Sequence, residues 1–224
     1  MTVLYEDNHL IVVNKSSSEI VQGDKTGDMP LSETVKVYIK EKYKKTGNVF
    51  LGVVHRLDRP VSGIVIFART SKALTRLNDM FRAGGEIKKT YWAIIKNTPP
   101  EPSGTLTNWI LRNEKQNKSY AYEREVSGSK KAILDYKVIN HSDRYLLVEI
   151  HLHTGRHHQI RCQLAHMGCP IKGDLKYGFQ RSNPDGSICL HARKIEFEHP
   201  VSHQQITIEA PLPNGNLWQV FNGY

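Results

Sequence analysis

One carboxylate in this 224-residue sequence stands between two guanidinium groups: Asp58, in the run His55-Arg56-Leu57-Asp58-Arg59-Pro60-Val61-Ser62-Gly63. A free aspartate, with a pKa of about 3.9, is ionised at neutral pH. Burial in a pocket raises that value, and an adjacent cation lowers it. A buried carboxylate meant to react therefore needs a fixed positive partner. Arg56 and Arg59 are close in sequence, but a turn can point either of them away. An arginine arriving from a distant element is better placed. The richest source is Leu152–Gly168, LHTGRHHQIRCQLAHMG, which gathers Arg156, His157, His158 and Arg161 around one expected helix start. Backbone N–H groups at such a start add partial positive charge and make an anion site. The plain alternative is a basic helix on the surface. Tyr91, in KKTYWAII, is a third candidate. Its ring can stack on a base and its hydroxyl can exchange a proton, although a phenol pKa near 10 makes it a reluctant base.

The elements that must position these groups can be read from periodicity and turn chemistry. Leu4-Tyr5 and Leu10–Val13 read as strands around the turn Glu6–His9. Residues 16–29 form a polar loop, and Pro30–Lys45 reads as a helix with Leu31, Val35, Tyr38, Ile39 and Tyr43 on one face. Pro60 and Gly63 constrain the backbone about Asp58, and Gly63–Ala68 is a β-branched strand. A helix follows, capped by Thr70 or Ser71 and ended by Gly84-Gly85. In the strand Lys88–Ile95, Tyr91 and Ala93 share one face while Thr90, Trp92 and Ile94 share the other. The proline-rich segment Asn97–Gly104 is the expected boundary between two lobes. Strands are expected near 105–111, 118–124, 131–139, 145–152, 189–198 and 204–210, with a helix over His157–Met167 closed by Gly168. The density of strands predicts an α+β fold built on an extended, mostly antiparallel sheet.

Lys plus Arg number 31 against 22 Asp plus Glu, a formal net charge of +9. An excess of that size points to a polyanionic partner, either nucleic acid or an acidic membrane surface. No run reaches the ~18 apolar residues of a membrane span, and MTVLYEDNHL lacks a signal-peptide pattern. Cys162, Cys169 and Cys189 are an odd set without framework spacing, as for reduced thiols in a cytoplasm.

The segments HRLDRPVSGIVIFART, KKTYWAII, HTGRHHQIRCQLAHMGCPIKGDLKYG and LHARKIEFEHP occur in that order. Together they resemble the successive motifs of the RluA family of pseudouridine synthases, from Leu4 to about Pro213. The resemblance implies an RNA uridine-to-pseudouridine isomerase that needs no cofactor and no metal. It implies the pseudouridine synthase fold as one catalytic domain over 1–224, with two lobes and the active-site cleft between them. Asp58 matches the family's essential aspartate, and Arg56 the arginine that helps hold RNA open around the flipped nucleotide. Tyr91 matches the tyrosine that stacks on the uracil and takes part in proton transfer. Arg161 matches the basic residue that pairs with the aspartate, and Leu190 the apolar pocket residue. His55, Arg156 and His158 join Arg56 and Leu190 as candidate substrate-binding residues. Val61 stands where the family usually has Thr, and His157 where Thr or Ser is common.

Large-subunit ribosomal RNA is the expected target, with transfer RNA as the alternative. The expected protein is a monomer without membrane association. With the N-terminus entering the fold at Val3-Leu4-Tyr5, no extra RNA-binding module is expected before the catalytic part. Two other classes compete. An RNA-binding protein with a dead site would share the charge, but retention of Asp58, Tyr91 and Arg161 argues against it. A zinc protein could use His158, Cys162, His166 and Cys169, yet a second ligand cluster is lacking. A kinase-like catalytic loop at His55-Arg56 fails on residue order and lacks a Gly-rich phosphate loop.

Overall fold

The computed structural model describes residues 1–83 and 86–221. The expected helix stop at Gly84-Gly85 lies outside the described residues. In chain order the elements are β1 (Thr2–Glu6), β2 (Leu10–Lys15), α1 (Leu31–Lys42), β3 (Gly52–Val53), β4 (Ser62–Ala68) and α2 (Ser71–Ala83). There follow β5 (Lys88–Ile95), β6 (Ser103–Asn113), β7 (Lys118–Tyr122), β8 (Lys130–His141), β9 (Leu146–Leu152), α3 (Gln159–His166) and a 3-10 turn at Leu175–Tyr177. The chain ends with β10 (Leu190–Glu198), β11 (Gln205–Glu209) and α4 (Asn216–Gln219). Short helices between many strands make an α+β protein.

Two compact units result: Met1–Ile87 with Arg193–Pro211, and Lys88–Ala192 with Leu212–Tyr224. The proline-rich segment 97–104, expected to part the lobes, instead joins β5 to β6 inside the second unit. The physical reason is that β6 returns to pair with β8 along Ser103–Ile110, which ties both flanks of that segment into one sheet.

In the first unit β2 pairs antiparallel with β1 and β4, β3 pairs with β4, and β10 pairs with β11. Residues 10–13 of β2 and 64–68 of β4 are buried at both alternating positions, so they form the core. Their β-branched and aromatic content suits them to that place. Leu31, Val35 and Ile39 of α1 and Ala73 and Leu77 of α2 bury at helical spacing. The β1–β2 turn follows from its aspartate: Asp7 Oδ1 accepts the N–H groups of His9 and Leu10, each at 2.7 Å.

In the second unit the strand order is β5-β9-β8-β6-β7, all antiparallel. Helix α3 packs on β6 and β7, where Cys162 meets Ile110, Ala132 and Tyr177. Gln163, buried at the same place, donates from Nε2 to Asn108 Oδ1 at 2.9 Å. The helix begins at Gln159 rather than His157 because His158 takes left-handed backbone angles, with φ 53°. Gly168, with φ 85°, ends it as expected.

Candidate active site

Asp58 lies in the first unit, half-buried, at the head of a tight turn in which Val61 N–H donates to Asp58 O at 3.0 Å. Gly63 follows with φ 114°, a conformation that side-chain-bearing residues disfavour, and lets the chain enter β4 opposite Lys15. Arg59 turns away from its neighbour. Its guanidinium donates to Asp28 Oδ2 at 2.6 Å and Thr26 Oγ1 at 2.8 Å, and this bond holds the Asp28 carboxyl below its usual range. Arg59 therefore orders the 24–28 loop. Arg56 remains exposed. His55 serves the fold: its Nε2 accepts the Ile66 N–H at 3.0 Å and its ring stacks on Phe81 at 4.8 Å. That acceptor role places the imidazole proton on Nδ1 in the neutral ring. Its Nε2 edge and one ring face are thus spent inside the fold, and substrate binding by His55 stands as an expectation.

Beneath the turn is a residue that sequence reasoning missed. Lys15 is 1% exposed and its Nζ donates to the carbonyls of Ser16 at 2.9 Å, Arg59 at 3.2 Å and Val61 at 2.6 Å. Burial pushes its pKa down from 10.5 to about 8, against the opposing pull of Glu19 and Asp58. One ammonium thus clamps both sides of the Asp58 turn. Lys15→Met is expected to destabilise the protein by about 2–3 kcal/mol in urea unfolding, because it strands buried carbonyls. The pH dependence has a definite sign. The unfolded chain takes up this proton near 10.5 and the folded chain near 8, so this group's contribution rises with pH across that window and is level below it. The stability gap between parent and variant should be wider at pH 10 than at pH 7.5. A gap that does not change with pH would discount the buried ammonium.

The second unit carries the other candidates. Tyr91, in β5, pairs with Ile150 of β9 and is partly buried. Lys89, two residues earlier on the same strand face, has its pKa lowered by burial. Its Nζ would lie 4.0 Å from a Cβ added to Gly155, so the His153–His158 loop lies against the start of β5. Arg161, on α3, is buried and forked onto Asp174: Nε donates to Oδ2 at 2.7 Å and Nη2 to Oδ1 at 2.9 Å. A bidentate pair of this kind fixes the plane of the guanidinium as well as its charge. The Tyr177 ring stacks at 5.0 Å from the Arg161 guanidinium carbon.

Tyr177 links this pair to the rest of α3. Its hydroxyl accepts the Ser119 N–H at 2.8 Å and is hydrogen-bonded to His158 Nδ1 at 2.9 Å. Burial, with Arg161 and His157 adding to it, drives the His158 pKa down to about 2, so its imidazole is neutral. His158 is buried against Tyr177, and substrate binding by it stands as an expectation. His157 stacks on it at 3.8 Å, with Nδ1 2.8 Å from Ser119 Oγ. Arg156 stays exposed, its Nε donating to the Lys131 carbonyl at 3.0 Å. Leu190 is buried at the first position of β10.

Asp174 and Tyr177 fall within the third motif, yet the sequence alone assigns neither a role. The sequence offered only the Gly173-Asp174 pair; in the structure Gly173 has φ 92°, and a Cβ there would approach the Ser187 carbonyl to 2.8 Å, so the pair builds a specific turn. The zinc alternative is not assembled. Cys162 Sγ donates to the Ser119 carbonyl, with its thiol pKa pushed to about 12 by burial, and His166 pairs with Glu123 at 2.6 Å. Among the described residues no three potential ligands converge. No helix among them is long and apolar enough to cross a membrane.

The family profile described as RNA pseudouridylate synthase matches residues 9–166. The chain is 34% identical over 217 residues to the uncharacterised RNA pseudouridine synthase YhcT of Bacillus subtilis, covering 95% of this chain and 69% of that one. It is 32% identical over 213 residues to the ribosomal large subunit pseudouridine synthase C of Rickettsia prowazekii, covering 94% and 68%. In fold it matches human RNA pseudouridylate synthase domain containing 4 with a TM-score of 0.79 at 22% identity, over 95% of this chain and 89% of the human one.

Proposed function

Since the chain belongs to the RluA family of RNA pseudouridine synthases, we propose that it isomerises uridines of large-subunit ribosomal RNA. The Rickettsia prowazekii relative, named for that RNA, supports the choice. Asp58 acts on the flipped uridine, as nucleophile or by removing a sugar proton. Tyr91 stacks on the uracil and assists the proton transfer. Arg161 supplies the fixed positive charge that keeps Asp58 ionised. The glycosidic bond from N1 breaks, carbon 5 bonds to the sugar in its place, and the proton lost from carbon 5 is balanced by one gained at N1. The detached uracil carries negative charge, which a basic pocket stabilises. On the family's pattern, a single chain does this without metal or cofactor.

The observation that carries this reading is the buried Arg161–Asp174 fork, in the same unit as Tyr91. A guanidinium buried in one fixed orientation is costly to maintain and suits a permanent electrostatic task. Asp174 takes Nε and one Nη2 hydrogen, which fixes the orientation of that charge. Arg56, exposed beside Asp58, meets the RNA; stacking or phosphate contact there offsets the few kcal/mol needed to extrude a base.

With a net charge of +9, RNA affinity should fall steeply with salt, by about 0.7–0.9 in log–log slope for each phosphate neutralised. The deciding experiment maps pseudouridine in ribosomal and transfer RNA from cells with and without the protein. Sites absent from large-subunit ribosomal RNA when the protein is removed are expected. Loss confined to transfer RNA would move the target, and no loss in either would overturn the assignment.

A further inference from the structure

Beyond the end of β5 the second unit holds a cavity of about 470 Å³ that the isomerase reading leaves without a role. Lys96, Lys172 and Arg181 line it, with Asn97, Tyr145 and Ser182, and no carboxylate is among its described lining residues. The volume falls within the ordinary range of ligand sites. Its polar groups are cations, amides and hydroxyls, the set that recognises a phosphate.

The walls are anchored. Lys172 is held by backbone bonds on both sides: its N–H donates to Ile94 O at 2.9 Å, and its carbonyl accepts the Cys189 N–H at 2.9 Å. Its ammonium is oriented by a hydrogen bond to Asn183 Oδ1 and lies 5.9 Å from the Phe179 ring centroid. Asn97 is fixed by its Nδ2 bond to the Gly168 carbonyl at 2.6 Å. Gly178, with φ 97°, closes the 3-10 turn and leads the chain into the Phe179–Ser182 wall. The nearby acid, Asp185, is engaged by Ser187 through its N–H at 3.1 Å and Oγ at 2.6 Å. Its carboxyl feels Lys172, but it does not line the cavity.

Lys96 is five residues beyond Tyr91 on the same strand line, about 16 Å at ~3.3 Å per residue. We propose that this cavity is a phosphate-binding subsite, separate from the Tyr91–Arg161 region, that takes phosphates of the RNA strand carrying the target uridine. The assignment to RNA rests on the function proposed above. A free phosphorylated small molecule presents the same chemistry, and the experiment separates the two sources.

The test compares the full-length parent, a Lys96→Gln/Arg181→Gln variant at two exposed positions, and a charge-matched Lys45→Gln/Lys72→Gln control. Binding of a single-stranded RNA containing a target uridine is measured from low to high salt. The site variant should bind about tenfold more weakly at moderate salt, with the slope reduced by ~0.7 for each phosphate it no longer neutralises, while the control stays near the parent. In parallel, inorganic phosphate and uridine monophosphate are titrated and followed by phosphorus NMR. A parent-only phosphate interaction with an unchanged RNA slope would keep the phosphate site and assign it to a free ligand. An unchanged slope together with identical phosphate titrations would overturn the subsite. Failure of the parent to isomerise uridine in any RNA would count against the function proposed above, and the phosphate titration would still decide the cavity.

Discussion

Asp58→Asn is expected to abolish uridine isomerisation, by more than about a thousandfold or ~4 kcal/mol of barrier, while RNA binding stays within a fewfold of the parent. The amide is nearly isosteric with the carboxylate, and the turn that holds it depends on backbone groups: the Asp58 carbonyl accepts from Val61, and Lys15 grips the Arg59 and Val61 carbonyls. The substitution therefore removes the nucleophilic or basic oxygen while leaving its support in place. Thermal unfolding should confirm that the variant folds. Tritium release from carbon 5 of labelled uridine, followed beside filter binding, separates chemistry from affinity. Turnover near the parent rate would remove Asp58 from the mechanism and with it the roles proposed for Arg161 and Tyr91.

The second large effect concerns the buried ion pair. Asp174→Ala should cost about 3–5 kcal/mol of stability, because it leaves the Arg161 guanidinium buried without its partner. Both side chains are nearly inaccessible, at 6% for Arg161 and 1% for Asp174, so water cannot replace the missing carboxylate without local opening. Arg161→Met/Asp174→Leu removes both charges and replaces them with apolar bulk. It should recover most of that stability, since a buried pair is often no more stable than a well-packed apolar substitute. Its turnover should remain low, and Arg161→Met alone should impair turnover more than RNA affinity. That split, with stability rescued and catalysis not, is what an electrostatic role predicts and a purely structural one does not. Full recovery of turnover in the double variant would reduce Arg161 to a packing residue. A uniform loss of affinity with normal turnover would make it a phosphate ligand.

Much of the fold was open to sequence reasoning because its signals are local. The β-branched run after Gly63, the alternation around Tyr91 and the Gly168 stop each depend on a few adjacent residues, and the structure reproduces them. The misplaced lobe boundary has a different origin. Prolines at 99, 100 and 102 mark a loop correctly, but whether a loop separates units depends on where the following strand pairs. The structural partners of His55 and His158 were hidden for a related reason. A histidine in a polar motif reads as a ligand, and only the folded chain shows one ring nitrogen of each bonded to Ile66 or Tyr177.

What the sequence by itself determined is the family, because four motifs in fixed order carry that information without any geometry, and with the family the expectation that Asp58, Tyr91 and Arg161 do the chemistry. What only the tertiary structure decided is who holds those residues. Lys15 clamps the Asp58 turn from 44 and 46 positions away, and Asp174 forks Arg161 from 13 positions away. Neither pairing has a spacing rule, since both partners are brought together by packing rather than by the period of a helix or strand. The cost of a buried, unpaired charge makes such partners obligatory, yet only the folded chain shows which residues they are.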